Sequence, residues 1–422
     1  MELPILSQIV PALHPQIDGV GDYALNLAIH LRELHGLQSR FIVCDPEWDG
    51  PSRIEGFVVR RLRVRNEAGI WCLLAASKEQ HAAVLLHYTG HGYDKLGAPF
   101  WLYRGIKSWL AEHSRGAAGS PKQFSTVFHE LWDSAPKPWN REFYMRFFQR
   151  RLVARLHCCS KISVANTLRT QRLLEGIKPH KTLWLPIPSN LPATKRAQSG
   201  SRRKGQFRIA ILGHHKARCA TLRVHAKLLR TWDQKNQLAS VTLMGKGQPA
   251  HESATPEADL LQQCVSRARI EILGKLSPED VSLSLGRADL FLSHCHGEFA
   301  CESGALMAAL AASCPSVLRD GANAAPLHES EHFLASNDSP QDVQRLEQTA
   351  AVGRLDHIGN AGRRWYDQYA DWKVVAPQFH AALFQEPVRS NPDQLQSKIR
   401  TSEAWKRLPL TELPEQICPD RA

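Results

Sequence analysis

The stretch from Gly286 to Leu327, GRADLFLSHCHGEFACESGALMAALAASCPSVLRDGANAAPL, constrains the fold more than any other part of the chain. A short apolar strand, Asp289–Ser293, runs into a loop that carries Glu298 and Glu302. Gly304 then opens a helix of small residues, Gly304–Ala312. Ser313-Cys314-Pro315 ends that helix, since proline cannot continue it, and a second strand, Ser316–Leu318, follows. This is a strand–loop–helix–strand unit whose loop leaves the carboxyl end of a strand, where open parallel sheets bind ligands. The loop's carboxylates repel phosphate, but they accept hydrogen bonds from sugar or ribose hydroxyls. The helix start at Gly304 is the place for a phosphate.

The same alternation runs through the rest of the chain. Apolar runs at Ile5–Val10, Arg40–Cys44, Phe57–Val64, Ala83–Tyr88, Ser125–His129 and Ile162–Ala165 predict strands. Helical patterns lie between them, notably Tyr23–Leu34 and Phe100–Glu112. A second series follows: Phe207–Leu212, Val241–Met244, Ile270–Leu273, Asp289–Ser293 and Ser316–Leu318. Strands alternating with helices predict an α/β protein with parallel, doubly wound sheets. A chain of 422 residues accommodates two domains of about 150–200 residues. The sequence predicts residues 1–187 as the first domain, 188–206 as a Pro-, Ser- and Gly-rich cationic linker, and 207–362 as the second domain. Residues 363–386 read as terminal helices and 387–422 as a loose polar tail.

Composition narrows the setting. Hydrophobic residues make up 43% of the chain, ample for buried cores, yet no run reaches the roughly 20 apolar residues of a membrane span. The opening MELPILSQIVPALHP has neither the cationic start nor the small-residue cleavage site of a signal peptide. Ten cysteines have irregular spacing without a CxxC pair, which predicts a reducing, cytoplasmic setting. The adjacent Cys158 and Cys159 suit a buried strand. Residues 1–200 carry 26 Lys and Arg against 16 Asp and Glu, and residues 201–422 carry 27 against 25. The excess in the first half, densest at Arg60–Arg65 and Arg141–Arg155, reads as a solvated basic face or as attraction to an anionic membrane or acceptor. Arg141–Arg155 has the pattern of an amphipathic basic helix. No nucleic-acid motif accompanies the charge. His294, Cys295, His296 and Cys301 lack a second ligand pair at structural-zinc spacing, so no metal is expected.

The segments Asp289–Ser293 and Leu306–Ala312 with Pro315 resemble the carboxyl-terminal signature of retaining glycosyltransferases with two Rossmann-like domains, the GT-B type. Asp18-Gly19-Val20-Gly21-Asp22-Tyr23, after the first strand, resembles that family's amino-terminal glycine loop. The segment lacks GxGxxG because Ala24 holds the last position, which disfavours a dinucleotide oxidoreductase. The chain departs from the family at its glutamate pair. The family's two positions fall on Ala300 and Ala308 here, with Glu298 and Glu302 nearby but out of register.

The resemblance implies two Rossmann-like domains facing across a cleft, the first for the acceptor and the second for a nucleotide-sugar donor, with the terminal helices crossing back to the first. It implies sugar transfer with retention to a glycan, lipid-linked or small-molecule acceptor, in a setting such as exopolysaccharide synthesis. It implies no cofactor or metal, and a cytoplasmic enzyme that could also lie at the inner membrane face. By position, His129 at a strand end would face the reacting sugar. Lys216 and Arg218 would hold the diphosphate. Gly213, Gly245 (in Gly245-Lys246-Gly247), Glu298, Glu302 and Gly304 would line the donor site. Gly19, Gly21, His87 and Tyr88 would form an acceptor or phosphate loop. The displaced glutamates leave a second reading open: a scaffold or sugar-nucleotide-binding protein that keeps the fold without catalysis.

Overall fold

The computed structural model describes residues 5–16, 18–76, 81–113, 123–132, 141–179, 182–194, 206–245 and 256–384. Most of the expected linker, the Lys246-Gly247 pair and the expected tail lie outside the described residues. The chain forms two compact units, Met1–Pro186 with Trp372–Ala422, and Ile187–Asp371.

In chain order the first unit contains β1 (Ile5–Val10), α1 (Gly19–His35), β2 (Gln38–Val43), β3 (Arg53–Ile54), β4 (Phe57–Arg61), α2 (Glu67–Ala75) and β5 (His81–Tyr88). It continues with α3 (Gly90–Tyr93), α4 (Phe100–His113), β6 (Phe124–Phe128), α5 (Arg141–Cys159), β7 (Ser163–Ala165), α6 (Leu168–Ile177) and β8 (Thr182–Trp184). The eight strands run in the order β3-β4-β2-β1-β5-β6-β7-β8. All pairs are parallel except β3 with β4. Alternate residues of each strand serve opposite faces. Ile9 and Ile42 join the core with Ile70, Leu102 and Leu152 from α2, α4 and α5. Val10, Phe41 and Val43 join the core with Ala24 and Ala28 of α1. Both faces are therefore covered, as a parallel sheet requires.

The second unit holds β9 (Phe207–Leu212), α7 (His215–Val224), α8 (Ala226–Gln234), β10 (Leu238–Met244), α9 (Pro256–Cys264), β11 (Arg269–Gly274), α10 (Pro278–Arg287) and β12 (Leu290–Leu292). A 3-10 helix (Gly297–Glu302), α11 (Gly304–Ala311), β13 (Ser316–Leu318), β14 (Leu334–Ala335), α12 (Pro340–Ala351) and α13 (Arg354–Tyr369) complete it. The six strands are all parallel, in the order β11-β10-β9-β12-β13-β14. Ile209, Ile211, Leu290 and Leu292 face one core and Ala210 and Phe291 the other. The last helix, α14 (Trp372–Phe384), belongs to the first unit, where Val375, Ala376 and Phe379 are fully buried.

Local readings needed two corrections. Cys158 and Cys159 end helix α5 and are not on a strand. Glu298 and Glu302 sit on the 3-10 helix, not in an irregular loop.

In each sheet the strand order reverses once. The reversal lies between β1 and β5 in the first unit and between β9 and β12 in the second. The crevice beyond the carboxyl ends at such a reversal is the binding position of this architecture.

Candidate functional site

At the reversal in the second unit, β9 runs into Gly213 and β10 into Gly245, at φ 149° and 115°. Both angles favour glycine. A Cβ on Gly245 would also lie 2.2 Å from the Gly213 carbonyl oxygen. Two strand ends thus close up as they could not with side chains. The chain then turns into α7, whose amino terminus is capped by the His214 imidazole accepting from the Ala217 amide, 3.3 Å away. Lys216 is exposed in that first turn.

On the other side of the reversal, β12 leads into His294, Cys295 and His296. The His294 amide donates to Thr221 Oγ1 (3.2 Å), and its Nδ1 lies 3.2 Å from the same oxygen. His296 Nδ1 hydrogen-bonds Asp320, which follows β13. Asp320 also accepts from the Gly297 and Ala322 amides at 3.1 and 3.2 Å. Burial pushes the Asp320 carboxyl up, but those amides and His296 outweigh it and leave Asp320 below the usual carboxylate range. Gly297 allows this junction, because a Cβ there would lie 2.5 Å from the Ala322 carbonyl oxygen. Arg319, exposed, joins the same group through its amide bond to the Cys295 carbonyl (3.0 Å).

The electrostatics follow from this grouping. His294 is held below the ordinary imidazole pKa by burial first, then by His214, His296 and Arg319 nearby. His294 therefore gains a proton only against burial and against these neighbours. An anion placed here would offset those effects and draw a proton onto His294. His214, His294, His296 and Arg319 thus meet at this reversal, and the sequence reading assigned none of them. Adjacency of His294 and His296 was the one visible signal, and it points equally to zinc.

The assigned residues divide differently. Arg218 is 1% exposed. Its Nε and Nη2 donate to Glu257 at 2.6 and 2.9 Å, and its Nη1 donates to the Gly213 carbonyl at 2.8 Å. That removes Arg218 from the diphosphate role: it locks α7 to α9 and the end of β9. His215, Cys219 and Glu257 bring ligand atoms within 4.8 Å of one another, yet both Glu257 oxygens already accept from Arg218, whose charge repels a metal ion. Glu298 and Glu302 are half-buried and Gly304 is exposed. The Ser303 hydroxyl already accepts from the Leu306 amide at the start of α11. Ala300 and Ala308, on the family's glutamate positions, are 0% and 4% exposed.

At the reversal in the first unit, Asp18 caps α1. Its carboxylate accepts from the Val20 and Gly21 amides, both at 3.3 Å. A phosphate would have to displace that carboxylate, so the glycine loop is closed to one. Gly21 serves packing, with its Cβ position 2.2 Å from the Ala12 carbonyl oxygen. Gly19 is exposed, with open space where a Cβ would sit. Tyr88 is also corrected: alternation along β5 turns it away from the His87 face into the core, edge-on to Phe128.

His87 and His129 do come together. His87 Nδ1 lies 3.3 Å from His129 Nε2, and His87 Nε2 lies 2.8 Å from Gln8 Oε1. Tyr23 packs edge-on against both rings. Burial pushes His129 down to about 3. His87 is also well below its usual value, through burial and then His129. Both are therefore neutral near pH 7. Beside them, Glu130 is exposed and accepts from Thr89 Oγ1 at 2.8 Å. Burial, with a smaller contribution from Glu130, raises Asp18 against the opposing amide bonds.

No family model matches the chain. No curated protein matches it in sequence. Solved structures do match in fold. HepE of Anabaena, in a complex with UDP and glucose, aligns at TM-score 0.62 with 13% identity, covering 90% of this chain and 99% of that one. A glycosyltransferase from Rickettsia africae aligns at 0.62 with 13% identity, covering 92% and 100%. Sucrose-phosphate synthase from Thermosynechococcus elongatus aligns at 0.60 with 14% identity, covering 89% and 97%. The fold is that of the GT-B glycosyltransferases: two Rossmann-like units, each built on a doubly wound sheet that is parallel apart from the β3–β4 pair of the first.

Proposed function

We propose that the protein is a nucleotide-sugar-dependent glycosyltransferase. In this reading the second unit holds the nucleotide diphosphate of the donor, and the first unit receives a hydroxyl-bearing acceptor. The observation that carries it is the cationic and imidazole group of His214, Lys216, His294, His296 and Arg319 at the reversal of the second sheet. The glycine-closed ends of β9 and β10 adjoin it, with Gly213 directly before His214. The neighbour HepE holds UDP and glucose in the same fold.

Transfer with retention breaks the bond from the anomeric carbon to the diphosphate oxygen and forms one to the acceptor oxygen on the same face. Negative charge grows on the departing diphosphate, where preorganised cations and N–H donors are most effective. The acceptor proton leaves with that diphosphate, so no side-chain base is required. In this reading Glu298 and Glu302 accept hydrogen bonds from donor hydroxyls. Binding of a panel of sugar nucleotides, followed by turnover, tests the proposal. Failure of every nucleotide to bind would reject it.

The buried Ala300 and Ala308 favour a second reading, a sugar-nucleotide-binding protein without transferase activity. Tight binding of a donor without turnover, across a wide set of acceptors, would select it.

A membrane-proximal acceptor is supported by α5, where Phe143, Tyr144, Phe147 and Phe148 are 44%, 65%, 57% and 46% exposed, with Arg141 beside them. Among the described residues no helix is long and apolar enough to cross a membrane. An exposed aromatic and cationic helix face is suited to lying on an anionic surface. Vesicles containing anionic lipid should bind the protein in low salt and release it as salt rises. Equal binding to neutral vesicles would exclude this contact.

A further inference from the structure

The last strand of a sheet has an unpaired edge, and keeping that strand short is one way to stop it from pairing with another chain. Three of the four end strands here are short: β3 and β14 have two residues each and β8 has three. The fourth, β11, has six and contains no proline. It pairs with β10 along one side, and no strand among the described residues pairs along the other. Its register with β10 is regular from Arg269 to Ile272 and shifts only before Gly274. Ile270, Ile272 and Leu273 are 37%, 56% and 40% exposed. Alternation puts Arg269 and Glu271 on the face opposite Ile270 and Ile272. Arg269 Nε lies 2.9 Å from Glu271 Oε1, with the arginine side chain 78% exposed. β11 is therefore a long and largely apolar edge.

The order of its side chains says what fits that edge. A second copy of the chain, related by a two-fold axis perpendicular to the sheet, would run antiparallel to the first and keep each residue on its own face. With the axis at Ile270, Arg269 stands opposite the second copy's Glu271, and Glu271 opposite its Arg269. On the other face Ile272 stands opposite the second copy's Ala268. With the axis at Arg269 two arginines would oppose each other, and at Glu271 two glutamates would. With the axis at Ile272, Glu271 would oppose Leu273. Opposite charges directly across a strand pair stabilise it and like charges destabilise it. Of these four registers, the one at Ile270 alone sets Arg269 against Glu271.

We propose that β11 pairs with β11 of a second copy of this chain, antiparallel and centred on Ile270, joining two sheets into one. Such a contact is satisfied by two chains, so it gives a dimer and not a fibre. One strand pair buries less than a large permanent interface does, so the dimer is weak and depends on concentration. The pairing requires neither nucleotide nor catalysis and stands apart from the transferase reading.

Sedimentation of the full chain from about 1 to 100 µM, where weak interfaces fill, should show monomer passing into dimer. A parent that stays monomeric at the top of that range overturns the proposal. One that grows beyond a dimer overturns the two-fold contact. Arg269→Glu and Glu271→Arg should each weaken the dimer at least tenfold, because each sets like charges opposite one another. Mixing the two variants in equal amounts should restore the parent's affinity. One strand is then acidic at both positions and the other basic at both, and each facing pair attracts. A mixture that fails to dimerise overturns the pairing. A dimer of parental affinity in both charge variants lies on another surface and overturns it as well. Ile272→Lys should also lose the dimer, and parental association in that variant counts against β11 as the interface.

Discussion

The two sheets reverse at equivalent places and present opposite chemistry there. In the first unit the groups at the reversal are neutral imidazoles, with carboxylates beside them. In the second they are exposed cations and imidazoles that repel one another. The sequence halves carry charge the other way round: the first is the basic half and the second is nearly balanced. Net charge therefore says little about a site. A handful of groups define the potential where ligands bind.

That contrast can be broken most sharply at Arg218. Arg218→Met leaves Glu257 buried without its partner and should cost about 3–5 kcal/mol of stability, read from urea unfolding. A stable variant that has lost nucleotide affinity would return Arg218 to the ligand and weaken the account of the second site. Arg319→Met should lower nucleoside diphosphate affinity tenfold or more, as expected for a lost charge-assisted bond, with the melting temperature unchanged. Loss of stability in place of affinity would make Arg319 structural.

Glu298→Gln or Glu302→Gln should reduce kcat/KM by about tenfold, about 1.4 kcal/mol, with the loss mainly in kcat if the contact strengthens in the transition state. Parental turnover in both variants would place the donor sugar elsewhere. The smallest effect concerns pH. His294 is depressed in the free protein and should be raised by a bound anion. Affinity for a nucleoside diphosphate should then be greatest below the free pKa and weaken as pH rises through the bound one, by under tenfold per unit for one proton. His129, at about 3, should show no titration over the same range. Titration of His129 near neutrality would erase the contrast between the units.

Local pattern carried most of the fold. Strands such as Ile5–Val10, Phe207–Leu212 and Ser316–Leu318 announce themselves through apolar runs bounded by glycine or proline, and their alternation with helices dictates parallel pairing. The sites were less legible because they are assembled from distant strand ends. His214, His294 and Arg319 follow three different strands. Gln8 meets His87 only because β1 pairs with β5. The inward turn of Arg218 depends on Glu257 on another helix, so its neighbour Lys216 looked equivalent in sequence and is not. Tyr88 was misassigned for a simpler reason: adjacent strand residues point to opposite faces, so His87 and Tyr88 could not share one site.

Helix α14 has a consequence for biosynthesis. Trp372 packs 5.3 Å from the Tyr23 ring and 5.2 Å from His30, although it follows the whole second unit in the chain. A ribosome must therefore release all of residues 187–371 before the earlier unit can receive its last helix. Until then Tyr23, which steadies the histidine pair, lacks its cover. A nascent chain stopped at residue 371 should carry a folded second unit and an unfinished first one, so the second unit's site should be complete before the first unit's.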